Sequence, residues 1–163
     1  MNIMQTQRIY RYMECGSDRV SIDDIKEKLK FGNPKIIFDI NEYVQTLFDS
    51  YYSINEDDFV IIMNLLVNLC IRFKYDRDLT LQLLETLEIG VGRQGTNHVK
   101  FEPLVELLND NDIDYLWRVI IILGFSCQSQ YIKVLQDIKT NDSFIKKEIS
   151  DAIYELKMGY KII

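Results

Sequence analysis

Five carboxylates crowd one short stretch of this chain: Glu102, Glu106, Asp110, Asp112 and Asp114 fall between Phe101 and Trp117 with no lysine or arginine among them. Carboxylates one helical turn apart suit either acid–base transfer at a reacting bond or the capture of a cation. In an α-helix over residues 99–109, Glu102, Glu106 and Asp110 would share a face by their spacing of four. Like charges so placed cost a helix about 0.2–0.5 kcal/mol per pair, a cost that a cationic partner offsets. A di-metal site on helices would want a Glu-x-x-His pattern as well, and the chain has none. Recognition of a positively charged surface is therefore the sharper reading, with Tyr115 and Trp117 as aromatic anchors beside the acids. A solvated acidic face over a buried Trp117 is the other reading of the same residues. A second cluster, Glu56-Asp57-Asp58, suits the positive end of a helix dipole.

Other chemistry-bearing residues are sparse. Gly90-Val91-Gly92-Arg93-Gln94-Gly95 satisfies the string G-x-G-x-x-G. That motif holds a pyrophosphate only where a strand leads into the glycines and a helix starts after them. Here a leucine-rich helical pattern precedes and a polar loop follows, so the segment reads as a connector. A lesser role is open to it, in which its amides and Arg93 bind an acidic group of a partner. His98 is the only histidine, and alone it builds neither a triad nor a metal shell. Cys15, Cys70 and Cys127 stand far apart with no C-x-x-C spacing, which is neither a disulfide frame nor a zinc site. No cofactor, metal or catalytic set is expected.

The elements that must position these residues are helices. Apolar types make up 47% and charged types 27% of 163 residues, the balance of a globular protein. Seven Gly and two Pro are too few for the turns of a β-sandwich. The scattered free cysteines fit a reducing cytoplasm. The start, from Met1 to Arg8, shows no basic-then-apolar secretion signal. The longest apolar stretch, Phe59 to Phe73, is broken by Asn64, Asn68 and Arg72 and falls short of the ~20 residues that span a bilayer. A net charge of −6 repels phosphate backbones and attracts basic partners, so neither nucleic acid nor membrane is an expected ligand.

Along the chain, Met4 to Met13 reads as a short helix ended by Gly16. Ser21-Ile22-Asp23-Asp24 offers a hydroxyl cap with an acid three residues on, opening a helix to about Lys30. Asn33-Pro34 starts another, over 34–52, with Ile37, Ile40, Val44, Leu47, Phe48 and Tyr51 on one stripe. A helix over 57–73 is apolar nearly all round, which predicts cover on several sides. The next ends at Gly90, and further helices are predicted over 99–109, 114–125, 129–139 and 143–158.

The C-terminal half repeats itself at an offset of thirty residues. Phe101 falls on Tyr131, Leu104 on Val134, Leu108 on Ile138, Asp112 on Asp142, Tyr115 on Ile145, Val119 on Ile149 and Ile122 on Ala152. Two helices and an Asn-Asp turn thus recur as a unit. Trp117 to Gly124 followed by Tyr131 to Leu135 and Asn141-Asp142 resembles a HEAT-like repeat, a family in which helix pairs stack through an Asp or Asn turn. Gly124 becomes Tyr154 in the next copy, and bulky Ile residues replace the family's small ones. The resemblance implies an all-α fold of stacked antiparallel helix pairs, an α-solenoid forming a single domain over 1–163. Residues 1–55 would be its less regular part and 56–163 its HEAT-like pairs. Where the penultimate pair carries Leu116, Ile120 and Ile121, the final helix carries Lys146, Ser150 and Asp151, as a terminal cap requires.

Small, acidic helical-repeat proteins of this kind are similar to immunity proteins of bacterial contact-dependent inhibition and polymorphic-toxin systems. That similarity implies a cytoplasmic monomer that binds a basic toxin domain, a nuclease, in a 1:1 complex and covers its active site with acidic side chains. A HEAT-like adaptor within a multiprotein complex is the alternative from a different class. A helical-repeat nucleic-acid enzyme is the third, opposed by the net charge.

Overall fold

The structure, a computed structural model, describes residues 20–49, 54–93, 95–110 and 112–159. These residues are helical throughout their ordered elements, with no strand among them. In chain order they form α1 (Ile22–Phe31), α2 (Pro34–Asp49), α3 (Glu56–Arg72) and α4 (Arg77–Gly90). A 3₁₀ turn (Thr96–His98) and a 3₁₀ helix (Glu102–Asn109) follow, then α5 (Ile113–Gly124), α6 (Tyr131–Gln136) and α7 (Ser143–Met158). The helix expected over Met4–Met13 and the last turn of the one expected over 34–52 lie outside the described residues.

Local chemistry explains where the helices start. Ser21 and Asp24 close a capping box, the Ser21 hydroxyl accepting from the Asp24 amide at 3.1 Å and the Asp24 carboxylate accepting from the Ser21 amide at 3.2 Å. Asn33 accepts from the Ile36 amide, Asn55 from Asp58 and Asp76 from Leu79. Asp112 and Asp142 make one pattern twice: the first accepts from the amides of Asp114 and Tyr115, the second from those of Phe144 and Ile145. The thirty-residue offset in the sequence is therefore matched by equivalent caps. Each such cap satisfies amides that the helix leaves open, and contributes about 1 kcal/mol.

Packing joins these helices in pairs. α1 packs on α2, α3 on α4, the 3₁₀ helix on α5, and α6 on α7. The second members also pack in sequence, α2 on α4, α4 on α5 and α5 on α7. On the other side α1 meets α3, and α3 meets the 3₁₀ helix. α3 thus has cover on three sides, as its nearly uniform apolar surface demands: Phe59, Ile62, Met63, Leu66, Val67, Leu69 and Cys70 are all buried. Burial of each large side chain of that set contributes about 1.5–3 kcal/mol. α5 and α7 approach closely at Gly124, where a Cβ would come within 2.7 Å of the Ala152 Cβ and 2.9 Å of its Cα.

Two expected helices take another form. Residues 102–109 are a 3₁₀ helix where an α-helix over 99–109 was expected. Three residues per turn align positions three apart, and the buried edge is Phe101, Leu104 and Leu107. The segment expected as a helix over 129–139 is helical only at Tyr131–Gln136.

Candidate partner-binding surface

The acidic run does not present one face. In a 3₁₀ helix four residues advance the chain by about 120°, so Glu102 and Glu106 stand on different edges. The structure then supplies cations that lie far away in sequence. Glu106 pairs with Lys74, and Arg77 grips both Asp112, at 2.6 Å, and Asp114. Burial would raise the Asp112 carboxyl, yet Arg77 and the amides of Asp114 and Tyr115 outweigh it and hold the group below the usual aspartate range. Asp110 accepts from the Asp112 amide at 3.0 Å. Of the five acids, Glu102 and Asp110 are exposed and have no cation partner among the described residues.

Of the two expected aromatic anchors, Tyr115 is placed in the core. It is 3% exposed, and its hydroxyl donates to the Lys74 carbonyl at 3.2 Å. It sits on the α5 face that packs inward. Trp117 is half-buried, tilted against Phe144 at 5.9 Å between ring centroids, and its indole N–H donates to Glu148 at 3.3 Å. Ile113, one turn before Trp117 on the same side of α5, is 50% exposed, as is Phe144. Ile113, Trp117 and Phe144 therefore leave apolar surface open at the starts of α5 and α7, where Glu148 bonds the indole and the Arg118 guanidinium lies over the Trp117 ring at 5.6 Å.

A set of acids that the sequence reading passed over lies on α2 and α4. Asp39, Glu42 and Asp49 on α2, and Asp78 and Glu85 on α4, are exposed and form no ion pair with a described residue. The two helices pack side by side. The signal was present in the spacing, since Glu42 to Asp49 and Asp78 to Glu85 are both seven apart and each pair lies opposite its helix's apolar stripe.

The glycine-rich loop has a structural use. Gly92 and Gly95 take left-handed backbone at φ 88° and 90°, and a Cβ at Gly95 would lie 2.7 Å from the Glu56 side chain. The amides of Val91, Arg93, Thr96 and His98 bond to carbonyls within the loop and at the end of α4. Arg93 donates to the Phe48 carbonyl at the end of α2, with its guanidinium over the Phe48 ring. Those amides and that side chain are thus engaged inside the chain. Ile54, Glu56, Phe59 and Arg93 line a cavity of about 140 Å³ there, and His98 lies 3.5 Å from Glu56 at its edge.

Burial pushes the thiols of Cys70 and Cys127 up, away from the reactive thiolate form. Among the described residues no group of three or more His, Cys, Asp or Glu side chains is placed to hold a metal ion. No described helix is long and apolar enough to cross a membrane. The chain matches no protein family, no curated protein and no solved structure.

Proposed function

We propose that this chain is a protein-binding module of stacked helix pairs, and more specifically an immunity protein that covers the active site of a basic toxin domain, a nuclease. The observation that carries this reading is the apolar surface of Ile113, the half-buried Trp117 and Phe144, with Glu148 bonded to the indole and Asp112 and Asp114 adjoining Ile113 in the chain. An aromatic anchor inside a charged rim is the usual anatomy of a binding hot spot. The unpaired acids of α2 and α4 support it, because a negative surface steers a basic partner and speeds encounter. The repeated caps at Asp112 and Asp142 and the successive packing of second helices support the stacked-pair architecture. In this reading the chain binds and blocks as a 1:1 partner in the cytoplasm, and catalyses nothing.

Co-purification from the native cells with mass spectrometry tests it. A basic nuclease domain is expected as the stoichiometric partner, with its nuclease activity lost in the complex and restored on salt-induced dissociation. Recovery of a multisubunit assembly with no toxic domain would replace the immunity reading by the adaptor. One observation favours that second reading: another apolar group, Phe31, Ile36 and Phe38, is exposed around the α1–α2 junction, well along the chain from Trp117.

A further inference from the structure

α1 buries Ile25 and Leu29 and packs on α2 and α3. Its open side carries a second row, Asp24, Glu27 and Phe31, spaced by three and then four so that the three stand in line. This row and the turn into α2 bound an open groove of about 310 Å³, lined by Asp24, Glu27, Lys28, Phe31, Gly32 and Ile36. Phe31 is 72% and Ile36 40% exposed, and a folded chain gains by covering such large apolar side chains. At the far end of the chain α7 shows Lys146, Ser150 and Asp151 to solvent, as an end helix should. The α1 end lacks that polar finish.

Nineteen residues precede Val20 and lie outside the described ones, and the ten from Met4 to Met13 suit this groove in three respects. Length is the first. Ten helical residues run about 15 Å, as the ten of α1 do, and residues 14–21, with Gly16 among them, exceed the roughly two to five residues that join antiparallel helices. Charge is the second: the segment has Arg8 and Arg11 and no acid, against a groove with two acids, Asp24 and Glu27, and one cation, Lys28. Register is the third. Met4, Arg8 and Arg11 advance by four and then three, and so, read backwards, do Phe31, Glu27 and Asp24. Laid antiparallel, each residue of the first row meets its counterpart in the second, and Lys28 falls opposite the neutral Gln7.

We propose that Met4–Met13 docks on this groove as a helix antiparallel to α1, with the Met4 thioether on the Phe31 ring beside Ile36, Arg8 at Glu27 and Arg11 at Asp24. Sulfur against an aromatic ring is a favourable contact. Asp24 gives Oδ2 to the Ser21 amide and offers Oδ1 to Arg11. Ion pairs at an exposed rim add little stability, so the apolar contact holds the segment and the charges set its register. The inference stands apart from the toxin reading. It takes Phe31 and Ile36 out of the surface open to a partner, and so removes them from the case for an adaptor.

The test is NMR on the full chain, labelled at the methyls of Met and Ile and at the Phe rings. Nuclear Overhauser contacts are expected from the Met4 methyl to Phe31 and Ile36, and none of them should pass between molecules in a sample mixed from labelled and unlabelled chains. Trypsin gives a second readout, because cleavage after Arg8 and Arg11 requires the segment to leave the groove. Glu27→Gln, at an exposed site, should quicken that cleavage about two- to fivefold. Phe31→Ser should quicken it more, and Glu102→Gln should leave it unchanged. No contact from Met4, contacts to another part of the chain, contacts only between molecules, which would make a second copy the occupant, or cleavage indifferent to the Glu27 and Phe31 changes would each overturn the proposal.

Discussion

Asp112 serves the fold in two ways at once, capping α5 and holding Arg77. Asp142 makes the same cap on α7 without a basic partner among the described residues. Asp142→Ala should therefore cost about 1 kcal/mol in urea unfolding, and Asp112→Ala should cost more. Acid titration separates these groups by sign. Asp24, Asp58 and Asp112 are held low in the folded chain, the first by Ser21, the second by Lys26, the third by Arg77 and amides against the opposing effect of burial. Their stabilisation is whole above the ordinary aspartate value of about 3.9 and is lost as pH falls through their lowered folded values. Glu88 runs the other way: burial raises its carboxyl against the pull of Arg118, so the folded state takes up its proton first and acidification relieves a cost. The melting temperature should thus hold or rise slightly on mild acidification and fall steeply below about pH 4. In Glu88→Gln the early rise should vanish while the steep fall remains.

At the scale of elements, two residues decide how helices meet. Gly124→Ala sets an intrinsic helix gain of up to about 1 kcal/mol against an overpacking cost of about 1–3 kcal/mol. The cost wins, because the new Cβ meets the Cβ and the backbone of Ala152, which cannot rotate away. Net destabilisation is expected, with partial recovery when Ala152→Gly is added; additivity of the two changes would show that the contact does not matter. The 3₁₀ helix invites a similar comparison. Its buried edge runs Phe101, Leu104, Leu107, whereas an α-helix would bury Leu108 in place of Leu107. Leu107→Ala should lose about 2–5 kcal/mol by denaturant melting, and the half-buried Leu108 clearly less. The opposite ranking would restore the α-helical register.

For the whole molecule the question is which part of a net charge of −6 is free to act. Lys74 and Arg77 compensate Glu106, Asp112 and Asp114, while Asp39, Glu42, Asp49, Asp78 and Glu85 face no described cation. Reversing Glu42 and Glu85 to lysine should slow association with a basic partner about tenfold at low salt and flatten its salt dependence. Reversal of Glu102 and Glu106 should do less, because Lys74 already screens one of them. Stopped-flow association over a range of salt measures both. An equal loss from the two pairs would return the electrostatic face to the 102–114 run.

That the chain is helical, and where most helices begin, was legible in the residues, because those signals act over three or four positions: a serine, asparagine or aspartate bonding the amides just ahead of it. Equally legible was that α3 is covered on several sides, since an all-round apolar helix has no other stable place. The choice of 3₁₀ over α at Glu102–Asn109 came from packing on α3 and α5, which rewards a stripe of period three that short-range periodicity does not separate from 3.6. The acids mislead for a related reason. Whether a carboxylate is free depends on cations brought in from more than thirty residues away, as Lys74 is to Glu106 and Arg77 to Asp112. Coulomb's law acts through space and not along the chain, so which charges remain open to a partner was settled by the packing of distant helices.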